Sequence, residues 1–175
     1  MNETTQMIPP SPWVARHIGG IRQGGPVLDL ACGSGRHARL LAAQGFSVLA
    51  VDRDAAALGS LQGVAGVRTL QLDLEGEQWP LAGQSFAGIV VTNYLWRPRL
   101  PDLLALLAPG GVVIYETFMI GNAAYGKPSN PDFLLRPGEL REVARAAGLR
   151  EIAFEEGYTA SPKPVMRQAI CAVRD

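Results

Sequence analysis

Cysteine, histidine, net charge and long apolar runs are all scarce in this chain, and each scarcity excludes something. Two cysteines in 175 residues, Cys32 and Cys171, are too few for a disulfide framework or a thiolate zinc site, and no metal site is expected. The two histidines, His17 and His37, read as surface or packing residues rather than catalysts. Sixteen basic residues balance sixteen acidic ones, so no overall field draws the chain to nucleic acid, although a local patch is not excluded. No apolar run approaches the roughly 20 residues of a membrane span. Residues 1–13 lack the basic and apolar regions of a signal peptide. Together these readings predict a cytoplasmic protein without a membrane partner. The length fits one domain over 1–175, with residues 1–10, polar and ending in Pro9-Pro10, as a mobile tail.

What is present is concentrated in Val27-Leu28-Asp29-Leu30-Ala31-Cys32-Gly33-Ser34-Gly35-Arg36. A short apolar run bounded by glycines reads as a buried strand. Gly33 and Gly35 then permit a tight turn and close approach of a ligand, and the Ala- and Leu-rich helix that follows points free N–H groups into that turn. This is a strand–loop–helix cradle for a nucleotide. Gly33-Ser34-Gly35-Arg36-His37-Ala38 also fits the loose dinucleotide fingerprint, with Asp52 about 20 residues on. A nicotinamide dehydrogenase, however, normally carries a second substrate domain, for which little chain is left.

Further along, Ser11-Pro12 starts a short helix to about Ile18 that carries Trp13 and Arg16. Strands are predicted at 46–51, ending at Asp52, at 67–72, ending at Asp73, at 86–92 and at 112–118. Between them, Asp54 caps a helix with Leu58, Leu61 and Ala65 on one face. Pro101 starts another helix, which Pro109-Gly110-Gly111 terminates. A long irregular segment, 119–136, is dense in Gly, Asn and Pro, and such loops are usually functional or mobile. A helix from Pro137 to Gly148 and two strands, 150–156 and 167–173, close the chain. The alternation predicts a mostly parallel sheet with helices on both faces, and the last two strands, joined without a helix, an antiparallel hairpin.

The string Asp29-Leu30-Ala31-Cys32-Gly33-Ser34-Gly35, with its acid four positions before the first glycine, resembles the first motif of the class I S-adenosylmethionine-dependent methyltransferases. The terminal hairpin is similar to the end of their seven-stranded Rossmann-like sheet. The resemblance spans about 13–173, and Arg136-Pro137-Gly138-Glu139-Leu140-Arg141 adds a similarity to small stand-alone bacterial enzymes, including the tellurite-resistance methyltransferase group. It implies a methyltransferase using S-adenosyl-L-methionine and releasing S-adenosyl-L-homocysteine. The expected cofactor site is Asp29, Ala31, Gly33, Ser34, Gly35, Asp52, Arg53, Asp73, Leu74 and Asn93, of which the resemblance implies Asp29, Gly33, Gly35, Asp52 and Asp73. Within it Asp52 suits the two ribose hydroxyls, Asp73 the adenine amino group, and the turn with Asp29 behind it the methionine end. The plainer reading of Asp54 is a helix cap, of Asp73 a turn-starter, and of Cys32 a small packed residue.

Methyl transfer from a sulfonium needs alignment and exclusion of water more than a catalytic group, and no single catalyst stands out. Substrate-side candidates are Asn93, Tyr94, Glu116 and Tyr125, the last as a lid, with walls from Trp13, Arg16, 93–96 and 116–118. Arg97, Arg99, Lys127, Arg136, Lys163 and Arg167 are expected on the same side of the sheet, where they either favour an anionic substrate or are unrelated surface charges. Asn93-Tyr94-Leu95-Trp96 lacks the prolines common after strand four in nucleobase amino-methyltransferases, which favours a small-molecule substrate. The alternatives are a nucleic-acid or protein methyltransferase working with a partner, and a non-catalytic cofactor-binding subunit. The methyl acceptor and the oligomeric state are not legible.

Overall fold

The computed structural model describes residues 7–175. Residues 1–6 of the expected mobile tail lie outside the described residues. The last part of that segment is tied down, because Arg36 Nη1 donates to the Pro9 carbonyl at 2.8 Å.

Seven strands form one sheet in the order β3-β2-β1-β4-β5-β7-β6. They are β1 (Pro26–Leu30), β2 (Ser47–Asp52), β3 (Val67–Gln71), β4 (Phe86–Thr92), β5 (Leu107–Phe118), β6 (Arg150–Thr159) and β7 (Val165–Val173). The first five pair in parallel, while β7 is antiparallel to both β5 and β6 and inserts between them. The expected mixed sheet with its terminal hairpin is therefore what forms.

Period-two alternation decides which residue meets which layer. Leu28, Leu30, Leu49, Val51, Ile89 and Val91 face one core. It is covered by α4 (Leu100–Leu104) and α5 (Glu139–Ala146). Val27, Val48, Ala50, Val90 and Ile114 face the other, beneath α1 (Pro12–His17), α2 (Arg36–Ala43) and α3 (Ala55–Gly59). Each fully buried aliphatic side chain contributes about 1.5–3 kcal/mol, so strands apolar on both faces hold the sheet between two helix layers.

The local signals act as expected at α1 and α3. Ser11 Oγ accepts from the N–H groups of Trp13 and Val14, and Asp54 Oδ1 accepts from those of Ala56 and Ala57. Two expectations are corrected. The helix carrying Leu58 ends at Gly59, and Leu61, though buried, lies in the turn beyond it. Pro109-Gly110-Gly111 does not terminate a helix: α4 stops at Leu104, and the triplet is a bulge inside β5, between the Phe86–Leu107 and Gly88–Val112 pairs. Its backbone is claimed by the end of the chain, since Gly110 N donates to Arg174 O at 2.5 Å and Arg174 N to Gly111 O at 2.9 Å. That partner is 64 residues away, beyond reach of a local reading.

Candidate active site

The carboxyl ends of the parallel strands open into a cavity of about 450 Å³, a size suited to a cofactor. It lies over β1 and β4, where the strand order reverses, the usual place for a ligand in an open α/β sheet. Two non-glycine residues there have left-handed backbones, Ala31 (φ 53°) after β1 and Asn93 (φ 55°) after β4. Such conformations cost about 1–3 kcal/mol and persist where the surroundings enforce them, often at functional sites.

On the β1–β3 side the wall is largely main chain. Gly33 has φ 56°, and a Cβ placed on it would meet nothing within 4 Å, because it would project into open space. Asp52 ties this turn to the next one, its Oδ2 accepting from Gly33 N at 2.8 Å and its Oδ1 from Asp54 N at 2.9 Å. Each carboxylate oxygen has a second lone-pair site, so the pair of ribose hydroxyls still has acceptors. Asp73 starts a turn through Glu75 N (3.0 Å to Oδ1) and also lines the cavity. Leu72 and Leu74 beside it add apolar lining.

Of the ten residues expected to hold the cofactor, Ala31, Gly33, Asp52, Arg53, Asp73, Leu74 and Asn93 line this cavity. Asp29, Ser34 and Gly35 do not. Asp29 is buried under the first turn of α2, facing the Ala38 N–H, with Oδ2 unpartnered; burial pushes its carboxyl up to about 7. It supports the turn from behind. Ser34 is exposed and gives its carbonyl to Ser60 Oγ at 2.9 Å. Gly35 is needed for packing, because a Cβ there would come within 2.4 Å of Leu61 Cδ2.

The β4–β7 side is built from side chains. Tyr94, Leu95, Thr117 and Phe118 line it. The Tyr94 hydroxyl is buried without a hydrogen-bond partner, and burial raises its pKa above the ordinary phenol range. Arg97 clamps the long loop above. It holds Glu139 through Nε (2.6 Å) and Nη2 (2.9 Å), and the carbonyls of Asp132 and Leu134 at 2.8 Å each. Burial alone would raise the Glu139 carboxyl, but the Arg97 guanidinium and the Arg136 backbone N–H outweigh it and hold it low. Phe133, carried by that loop, reaches the cavity with Pro128.

Several expected wall residues lie elsewhere. Trp13 is core, 5% exposed, its Nε1 donating to the Ile170 carbonyl at 3.2 Å. Arg16 turns outward to Glu155 at 3.0 Å. Tyr125 is no lid: it packs on Tyr158, ring centres 5.2 Å apart, outside the cavity lining. Glu116 is buried beside Arg167 rather than standing free (Nε to Oε2, 3.6 Å). His37 is fully buried packing, its Nε2 accepting from Ser11 N at 2.9 Å, and burial with Arg36 nearby pulls its pKa down to about 3. Of the six basic residues, Arg97, Arg99, Arg136 and Arg167 are engaged by carboxylates within the chain.

Leu72, Glu75, Pro128 and Phe133 line the cavity without having been singled out. The length and composition of 119–136 marked the segment; which aromatic in it faces the cavity depends on the Arg97 clamp, which no spacing reveals.

The wall fits a nucleoside-bearing ligand: an open glycine, an acid at the tip of β2 and apolar flanks. Comparison with known proteins agrees. Residues 27–111 match a family described as "Methyltransferase domain". The ubiquinone biosynthesis O-methyltransferase of Acinetobacter baylyi is 30% identical over 166 residues, covering 79% of this chain and 68% of its own. The fold is shared with TehB from Haemophilus influenzae (TM-score 0.73, 18% identity, 93% of this chain). This chain spans 61% of that protein's length. A TehB-like S-adenosylmethionine-dependent methyltransferase from Corynebacterium glutamicum is also similar, with TM-score 0.67, 23% identity and coverage of 93% and 88% of the two chains. The chain belongs to the S-adenosylmethionine-dependent methyltransferases.

Proposed function

We propose that this protein methylates a small molecule, using the cavity over β1 and β4 for cofactor and acceptor together. The observation that carries the reading is the open face of Gly33 next to Asp52 at the strand-order reversal. Asp52 would accept from the ribose hydroxyls, and Asp73 from the adenine amino group between Leu72 and Leu74. The backbone of Ala31 and Gly33, braced by Asp29, would hold the methionine end. Arg53 and Asn93 would complete the rim; Ser34 and Gly35 act through the shape of the turn. When bound, the cofactor supplies a sulfonium-activated methyl group. The chain's own residues have to orient the acceptor and keep water out, for which Tyr94, Phe118 and Phe133 supply apolar walls.

A small acceptor is supported by the size of the cavity and by the relative named for ubiquinone biosynthesis. Four of the six basic residues expected on that side of the sheet are already paired, so the reading does not rest on an anionic substrate or on nucleic acid. It takes 1–175 as one domain. Among the described residues no helix is long and apolar enough to cross a membrane, and both thiols are free and buried, which suits a cytoplasmic location.

A thermal-shift comparison of S-adenosyl-L-homocysteine with NAD tests the cofactor assignment. The former should raise Tm by several degrees and the latter leave it unchanged; the reverse would remove the proposal.

A further inference from the structure

A second cavity, of about 800 Å³, is a groove between α4 and α5 that shares no lining residue with the first. Its size and its mostly apolar lining are those of a small-molecule site. Leu100, Leu104 and Leu107 form its buried floor, while Ala105 and Ala146 are exposed at its rim. Side chains this short leave the space between the helices unfilled.

The two ends of the groove are bridged differently. Where both helices begin, Arg97 holds Glu139, charge against charge. Where both helices end, Arg174 alone spans the gap, Nη2 donating to Leu104 O at 2.9 Å and Nη1 to Ala147 O at 3.4 Å. Six other arginines, Arg97, Arg99, Arg136, Arg141, Arg150 and Arg167, each have a carboxylate partner. Among the described residues Arg174 has none, and its neighbour Asp175 is given to Arg150. Carbonyls at helix ends carry only partial negative charge, and Arg174 Nε is buried with no acceptor. Of the five N–H donors of a guanidinium, one hydrogen on each Nη is still free, the pair that grips a carboxylate in a fork. The groove thus has apolar walls, a matched ion pair at one end and a cation without its anion at the other.

We propose that this groove is a second ligand site, for a small amphiphile with a single anionic head of the alkyl-carboxylate type. The head sits on Arg174, and the chain lies over the leucines toward the Arg97–Glu139 end. With eight residues in α5, the groove is about 12 Å long, which suits a chain of about ten carbons. The site is separate from the methyl-transfer cavity and does not rest on the function proposed for it.

Sodium decanoate, kept well below its micelle concentration, tests this on the full chain, with decanol and decyltrimethylammonium as controls of equal chain length. Decanoate should raise Tm by several degrees, decanol much less, and the ammonium not at all. In isotope-labelled protein, decanoate should move the Arg174 Nε–H resonance and the backbone N–H signals of Ala105 and Ala146, leaving those of Gly33 and Asp52 in place. Arg174→Met should abolish the Tm rise, but it also unties the helix ends. Ala146→Trp keeps Arg174 and fills the groove instead. It should weaken decanoate about tenfold or more in calorimetry, with S-adenosyl-L-homocysteine affinity unchanged. No Tm rise, equal rises from decanoate and decanol, signal changes confined to other surfaces, or full decanoate affinity in Ala146→Trp would each overturn the inference. So would a dimer that Ala146→Trp splits, because the occupant would then be a second copy of the chain.

Discussion

The two flanks of the cavity are made differently. From β3 to β1 the ligand would face main chain: a bare Gly33, a left-handed Ala31, and Asp52 holding two backbone N–H groups. From β4 to β7 it would face side chains held by other side chains, with Arg167 on Asn93 and Arg97 on Glu139 and the loop bearing Phe133. Gln168 is fully buried and ties α5 to the hairpin through Leu140 N (2.7 Å), Arg136 O (3.0 Å) and Glu156 Oε2 (2.9 Å). A main-chain cradle is set by a few consecutive residues and suits a ligand that does not change. A wall of long side chains drawn from distant strands can be reshaped by single substitutions, which suits the half that selects the acceptor.

The contrast can be broken from either side. Gly33→Val should have the largest effect: its side chain would fill the open face of the turn at φ 56°. Calorimetry should show S-adenosyl-L-homocysteine binding lost by more than about a hundredfold, with a Tm loss limited to the strain of about 1–2 kcal/mol for a left-handed valine. Tight binding retained would mean that the turn does not approach the cofactor. On the other flank, Arg97→Ala leaves the buried Glu139 with only the Arg136 backbone N–H (2.7 Å) and the exposed Arg136 guanidinium (3.6 Å), and releases the loop. Arg97 is itself about a third exposed, so a stability loss of about 2–3 kcal/mol is expected in urea unfolding, at the low end for a broken buried pair. Proteolysis should become faster within 119–136, and cofactor affinity should change less than in Gly33→Val. An equal loss of affinity would erase the distinction between the flanks.

Asp52→Ala removes the ribose acceptor and should weaken S-adenosyl-L-homocysteine about tenfold or somewhat more, from the 1.5–3 kcal/mol typical of a charged hydrogen bond. Unchanged affinity would take Asp52 out of that role. A smaller effect concerns pH. The Asp29 carboxyl is raised in the folded state from 3.8 to about 7, so its contribution to stability is full below about pH 3.8 and is lost as pH rises through 7. His37 is depressed from 6.5 to about 3, so its contribution is present above pH 6.5 and is lost as pH falls toward 3. Between pH 4 and 6.5 the two slopes oppose each other. Asp29→Asn should remove the opposing slope and leave stability rising with pH, His37 contributing up to about 1.4 kcal/mol per pH unit and the lowered His17 and Glu139 adding in the same direction, as urea midpoints at pH 4, 5 and 6.5 would show. A flat profile in that variant would refute the depressed His37 pKa.

Legibility follows the same divide. Strand β4, the caps at Ser11 and Asp54 and seven of the ten cofactor-side residues could be found from local pattern, since each depends on neighbours within a turn or on strand order. The aromatics show the opposite. Trp13, Tyr125 and Phe133 have equal standing in the sequence, yet one is core, one lies on the hairpin and one lines the cavity. Likewise the basic residues read as free charges until the fold brought a carboxylate to most of them.

What the chain's order of residues determined by itself was the alternation of buried strands and helices and the glycine turn after β1, because strand burial, helix caps and left-handed turns are decided within a few bonds. What only the tertiary structure decided was the insertion of β7 between β5 and β6, and with it the meeting of Arg167 and Asn93, 74 residues apart. Such contacts exist only once the sheet has closed, since the geometry of a hydrogen bond between distant side chains is fixed by packing and leaves no local trace.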